Sequence, residues 1–201
     1  MKLSATLAWL VDAAADSAGA DRFLAELGAH LLRDGLPLAG GALTLDISHP
    51  LIARRTWLWR AGNGEVIEAL GFAPAGLVTE AGSAGAGRRW LAGFAAGPVY
   101  EDTIGPGPDG PSLGWAGPRA FTADEIDQLR QAARFAAAPL AVIAGRATLS
   151  AALEAYLGRR SAARVLAAPL RRAVGETVQA ALLYADLRGF TALSDGNPPA
   201  W

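Results

Sequence analysis

From Thr122 onward the apolar residues fall into steps of three and four: Ile126, Leu129, Ala133, Ala136, Leu140, Ile143 and Ala147. That spacing is the seam of a long helix that packs lengthwise against something. Its start is marked by Thr122 and Glu125, a hydroxyl and a carboxylate three residues apart that cap each other's backbone amides. After Ala147 the apolar frame moves to Leu149, Leu153 and Tyr156, a break in the heptads. Pro139 removes one helical hydrogen bond and is expected to kink the helix. The first half has a sheet to cover in its own domain. Beyond Gly145 no such sheet remains, so the sequence predicts a homodimer paired through the helix 123–157, with Leu140 and Ile143 in its seam.

Upstream of this helix the pattern is α+β. Leu7, Leu10, Val11 and Ala14 predict a helix over 4–16, and Phe23, Leu24, Leu27 and Leu31 one over 21–33, stopped by Gly35 with Pro37 following. His30 falls at the edge of that second apolar stripe, where a partly buried structural histidine is expected. Leu43, Leu45 and Ile47 alternate with Thr44 and Asp46 as in a half-buried strand, and Ser48-His49-Pro50 makes a turn. Thr56-Trp57-Leu58-Trp59-Arg60 alternates too, so Trp57 and Trp59 share one face. Gly62-Asn63-Gly64 turns the chain into a returning strand over 65–70. A short helix over 88–94, strands over 99–104 and 112–115, and a turn over 106–110 precede the long helix. Trp57, Trp59, Trp90, Phe94 and Trp115 either line an apolar sensor pocket or simply form core.

Composition removes several classes of function. The 201 residues are 52% apolar and 18% charged, which is globular, and the net charge is −1 with one lysine, Lys2. The arginine pairs are scattered, so no electrostatic footprint for nucleic acid exists. Without cysteine there are no disulfides, thiolate nucleophiles, zinc–thiolate sites or thioether-linked bilins. Two histidines, His30 and His49, leave little for a haem. The longest apolar run, 135–145, contains Pro139 and is far short of the ~20 residues of a membrane span. Residues 7–11 are followed at once by Asp12 and Asp16, so the N-terminus reads as an amphipathic helix rather than a signal peptide. A cytoplasmic chain without membrane contact is the resulting expectation.

The chemistry lies near the C-terminus. Ala180-Ala181-Leu182-Leu183-Tyr184-Ala185 predicts a strand covered on both faces. Asp186 at its end places a carboxylate outside the core. Gly189 lets backbone approach a ligand, and Thr191 is suited to cap a following helix. A carboxylate beside free helix amides suits a metal-bound triphosphate. The string Ala185-Asp186-Leu187-Arg188-Gly189-Phe190-Thr191-Ala192-Leu193-Ser194 resembles the opening strand and metal loop of class III nucleotide cyclases, D-(I/L)-x-G-F-T-x-L-S. The resemblance implies metal contact by Asp186 and by the carbonyl of Leu187. It also implies a phosphate path along Gly189, Phe190 and Thr191, with magnesium or manganese in the parent site.

Two-metal chemistry needs a second carboxylate, and Asp195 is too near Asp186 in the chain to serve. The expectation is therefore a chain that ends just after the first catalytic motif and does not cyclise a nucleotide alone. Tyr156-Leu157-Gly158 and the short helix after it resemble the transducing linker of sensor-linked cyclases. The element order before it resembles a GAF domain, an antiparallel sheet between helices, with PAS the closest rival. The resulting division is a GAF-like sensor over 1–145, a signalling helix and linker over 146–175, and a cyclase fragment over 176–201. The implied function is the sensory and dimerising part of a class III adenylate or guanylate cyclase, with an unidentified small-molecule ligand. The alternative is a stand-alone binding module with a remnant cyclase tail. A catalytic GAF-fold enzyme finds no support, since no Ser-His-Asp grouping is in view.

Overall fold

Alternating side chains build the sheet. Gly40–Asp46 (β1), Ile52–Arg60 (β2) and Val66–Phe72 (β3) form a meander, and Tyr100–Thr103 (β4) and Ser112–Ala116 (β5) complete five antiparallel strands in the order β3-β2-β1-β5-β4. The computed structural model describes residues 4–46, 52–72, 85–105, 110–167, 179–186 and 188–196. Ile47, the Ser48-His49-Pro50 turn and most of the 106–110 turn lie outside them. The helices are Ala5–Asp12 (α1), Ala20–Arg33 (α2), Ala86–Ala92 (α3), Ala123–Ala167 (α4) and Phe190–Gly196 (α5), with a 3₁₀ turn at Ala14–Asp16. The fold is α+β, with an antiparallel sheet and a long C-terminal helix, as expected.

Register assigns the two faces of the sheet. Leu43 lies between Trp57 and Leu113. These three, with Leu45, Trp59 and Trp115, enter one core with Phe23, Leu24, Leu27 and Leu31 of α2 and Leu129, Leu140 and Ile143 of α4. On the other face Ala42, Leu58 and Ala116 meet Leu91 of α3 in a smaller cluster. Helices therefore cover both faces of the sheet.

The start of α4 follows its local chemistry. The Thr122 N–H donates to Glu125 Oε2 at 2.7 Å, and the Glu125 N–H donates to Thr122 Oγ1 at 3.3 Å. The Arg119 guanidinium donates two 2.8 Å bonds to the same carboxylate and holds it well below the usual range, at about 2.

Two expectations for α4 are corrected. The helix runs through Pro139 and bends instead at Gly158, whose φ of 75° and ψ of 155° are not helical. Glycine carries no Cβ to clash there, so the break is cheap at that residue. The three-four seam is also already occupied: Leu129, Ala133, Ala136, Leu140 and Ile143 are buried in the protomer's own core. They pack where α1, the 3₁₀ turn, α2 and β4 meet α4. Ala147 is exposed. This stripe is therefore committed to the domain's own core from Leu129 to Ile143, and only its ends, Ile126 and Ala147, reach the surface.

At the far end of the domain, Asp34 joins two helices. It caps the C-terminus of α2, and its Oδ2 accepts from the Thr6 N–H in the first turn of α1 at 3.1 Å. Burial alone would raise this carboxyl, but hydrogen bonding from Thr6 and Ser4 outweighs it and lowers the pKa. A lowered folded pKa stabilises the fold above the unfolded value, about 4, and that contribution is lost as pH falls through the folded value. Asp34→Asn should cost about 1 kcal/mol at pH 7 and less at pH 3. Urea midpoints at the two pH values check this; a gap that widens toward acid would contradict it. Nearby, His30 stacks on Trp9 at 4.8 Å, half-buried as expected, and burial and Arg33 lower its pKa.

The chain divides into two units, Met1–Ala167 and Ala168–Trp201. In the second, residues 179–186 form no strand, which corrects the expectation for 180–185. Leu182, Leu183 and Tyr184 are 94%, 93% and 100% exposed. An apolar run becomes a strand only when neighbouring strands take its amides and carbonyls, and among the described residues none pairs with it. Val178 and the Pro169 and Gly175-Glu176 positions lie outside the described residues.

Candidate functional site

The five aromatic residues considered as a sensor pocket do not come together. Trp57, Trp59 and Trp115 belong to the core under α2 and α4, where Trp59 and Trp115 meet edge-to-face at 6.3 Å. Trp90 and Phe94 lie on the opposite face, paired edge-to-face at 4.6 Å. The Arg60 guanidinium sits 4.7 Å from the Phe94 ring centroid and 5.7 Å from that of Trp90. A cation over two rings satisfies them without a ligand.

A cleft of about 790 Å³ does open beside Trp57. That volume suits a small organic molecule. One wall is sheet: Leu45, Arg55, Trp57, Val66 and Glu68. Trp57 pairs directly with Glu68, and alternation puts Arg55 on the same face as Trp57. The second wall is the lead-in to α2, Ser17 to Asp21, and the third is α4 from Ile143 to Ser150. Leu166, beyond the Gly158 bend, also lines the cleft. Residues 159–167 therefore return alongside the helix they continue.

The body of this cleft is apolar, and Arg55 Nε lies 3.1 Å from Glu68 Oε1 at one side. Arg146 donates to the Ala15 carbonyl at 2.7 Å, fastening α4 to the 3₁₀ turn. Ser17 donates to Glu26 Oε2 at 2.9 Å, and Arg22 holds the other oxygen of that carboxylate at 2.9 Å. Ser17 and Arg22 thus share the two oxygens of one carboxylate. Sequence reasoning found Trp57 here but missed Arg55, Glu68 and Leu166. The strand alternation carried a signal for Arg55; nothing local placed Leu166.

Among the described residues, those of the cyclase-like string gather with no other acidic or histidine side chains. Asp186 is exposed, and Leu187 lies outside the described residues. Gly189 has φ of 75°, and α5 starts at Phe190, so Thr191 sits within the first turn and Gly189 stands at the cap position that Thr191 was expected to fill. Asp195 belongs to α5. Among the described residues no group of three or more histidine or acidic side chains gathers to hold a metal. A magnesium or manganese pair needs more carboxylate than Asp186 supplies, so these residues do not fit one. No protein-family model, no curated protein and no solved structure matches this chain.

Proposed function

We propose that this chain is the sensory and dimerising part of a class III nucleotide cyclase, an enzyme class that converts ATP or GTP to a cyclic nucleotide and pyrophosphate. The observation that carries this reading is the ten-residue string 185–194, which meets the cyclase pattern at every defined position. Two further observations support the sensor part. An antiparallel sheet lies between helices, in the manner of a GAF or PAS domain, and a cleft of ligand size opens against it. The helix that leaves this sheet bends at Gly158, within the element that resembles the transducing linker. A ligand with an apolar body and one polar end fits the cleft, the polar end meeting the Arg55–Glu68 pair. Leu166 would report its presence to the linker.

A second reading is a free-standing small-molecule-binding module. The cleft favours it, since every residue that lines it falls within Met1–Ala167. The coding DNA on the far side of the Trp201 codon decides between the two. An open frame with a second aspartate and an Asn/Arg pair supports the cyclase reading, and a stop codon at that point overturns it.

The 201 residues themselves should form no cyclic AMP or cyclic GMP with magnesium or manganese. Asp186→Asn should alter neither turnover nor melting temperature, because the carboxylate is exposed and makes no metal pair. Cyclic product from the unmodified chain, lost in Asp186→Asn, would refute this.

A further inference from the structure

The charges that line the cleft beside Trp57 balance: Arg55 and Arg146 stand against Asp21 and Glu68. Two of the four are committed elsewhere. Arg146 donates to the Ala15 carbonyl at 2.7 Å. Asp21 lies in the first turn of α2, and its Oδ1 turns back onto Gly19, 2.6 Å from where a Cβ on that residue would stand. There it faces the positive end of the helix. Arg55 and Glu68 remain. They share the Trp57 face of β2 and β3, with Arg55 Nε 3.1 Å from Glu68 Oε1 and side chains 38% and 40% exposed. A guanidinium has more N–H donors, and a carboxylate more lone pairs, than one pairing uses. The pair therefore presents a donor and an acceptor side by side at the edge of an apolar cleft.

We infer that this cleft takes an uncharged molecule whose polar end is a primary amide or a lactam. The inference rests on the reading of the cleft as a ligand site and names the chemistry of its ligand. A carboxylate end would gain Arg55 and meet Glu68 beside it. An ammonium end would gain Glu68 and meet Arg55. In both cases attraction to one partner is offset by repulsion from the other, while the ligand's charge has still to leave water. An amide end has no such conflict. Its carbonyl accepts from the guanidinium, and an N–H on the same edge donates to the carboxylate, so both bonds are charge-assisted. A trans peptide bond does not serve, because its C=O and N–H point in opposite directions. A phosphate group fits less well, since it would meet Asp21 and Glu68 while Arg146 is held by Ala15. The rest of the molecule lies against Leu45, Trp57 and Val66 on the sheet and Ile143, Leu149 and Leu166 on the helical side, which suits an aromatic or branched apolar body.

Three probes with one shared body separate the classes: indole-3-acetamide, indole-3-acetate and tryptamine, each titrated into the whole chain by calorimetry. The amide should bind about 10-fold or more tighter than either charged probe. Removing one partner should switch the preference. Glu68→Leu should make the acetate the tightest of the three, and Arg55→Leu should do the same for tryptamine. Both side chains are partly exposed, so both variants should keep the melting curve of the unmodified chain. A charged probe that binds the unmodified chain as tightly as the amide overturns the inference but leaves the cleft a ligand site. So does cyclic AMP, if it displaces the amide and binds more tightly. Amide binding that neither substitution alters places the amide elsewhere and overturns it too. No binding by any probe at about 5 mM overturns the inference together with the reading of the cleft as a ligand site. The cyclase assignment stands on residues 185–194 and on the reading frame, so none of these outcomes decides it.

Discussion

Leu140→Asp should abolish cooperative folding, whereas Val142→Asp two residues away should leave it intact. Leu140 is 1% exposed and sits in the core where α4 meets the rest of the domain. Truncating such a leucine to alanine costs about 2–5 kcal/mol in lost burial and a residual cavity. Aspartate adds the cost of burying a carboxylate, or of protonating it, with no partner among the surrounding leucines and alanines. Against a total stability of about 5–15 kcal/mol, little is left. Thermal unfolding followed by circular dichroism reads the result. A cooperative melt within about 4 °C of the unmodified chain would mean that Leu140 does not face this core. The comparison is informative because the apolar spacing of α4 would, taken alone, put Leu140 at a contact between chains. A change there would then dissociate a dimer and leave the fold standing.

Trp115→Ala is the second large effect. The Trp115 ring is 1% exposed and meets Trp59 at an interplanar angle of 78°. Both rings are set against backbone where glycine leaves room. A Cβ at Gly41 would lie 2.5 Å from Trp115, and one at Gly28 would lie 2.5 Å from Trp59. The ring therefore fills a space no neighbour can reach once it is removed. The expected loss is about 3–5 kcal/mol, or roughly 10 °C or more in melting temperature for a chain of this size. The opposite change tests the same packing: Gly41→Val should cost about 1–3 kcal/mol by overfilling the site. Urea unfolding measures both. A loss below about 1 kcal/mol for Trp115→Ala would show that the ring is not enclosed.

Several elements were legible because their causes are local. The Gly62-Asn63-Gly64 turn and the alternation around it specify the β2–β3 hairpin and put Trp57 and Trp59 on one face. The Thr122/Glu125 reciprocal cap forms as the residue types require. The candidate site was less legible. Alternation relates side chains within one strand, but it does not say on which side of the sheet a later helix docks. Trp90 on α3 and Phe94 just after it were therefore grouped with tryptophans from which the sheet separates them. The cleft itself needs Arg55 from β2, Ile143 from α4 and Leu166 from beyond a bend, and no local rule brings these three together.

What the sequence by itself determined is the set of elements: two N-terminal helices, a meander, two further strands and a long capped helix. Periodicity, turn residues and caps act over a few positions and survive whatever the rest of the chain does. Only the tertiary structure decided which side of α4 is core. The helix carries apolar residues on two opposite stripes, Leu129–Ile143 and Phe135–Tyr156, both at heptad-like spacing. The sheet, α1 and α2 took the first and left the second exposed. The run 180–185 likewise has the composition of a buried strand, yet a strand is a relation between segments. Among the described residues no neighbour receives its hydrogen bonds, and there that composition does not make one.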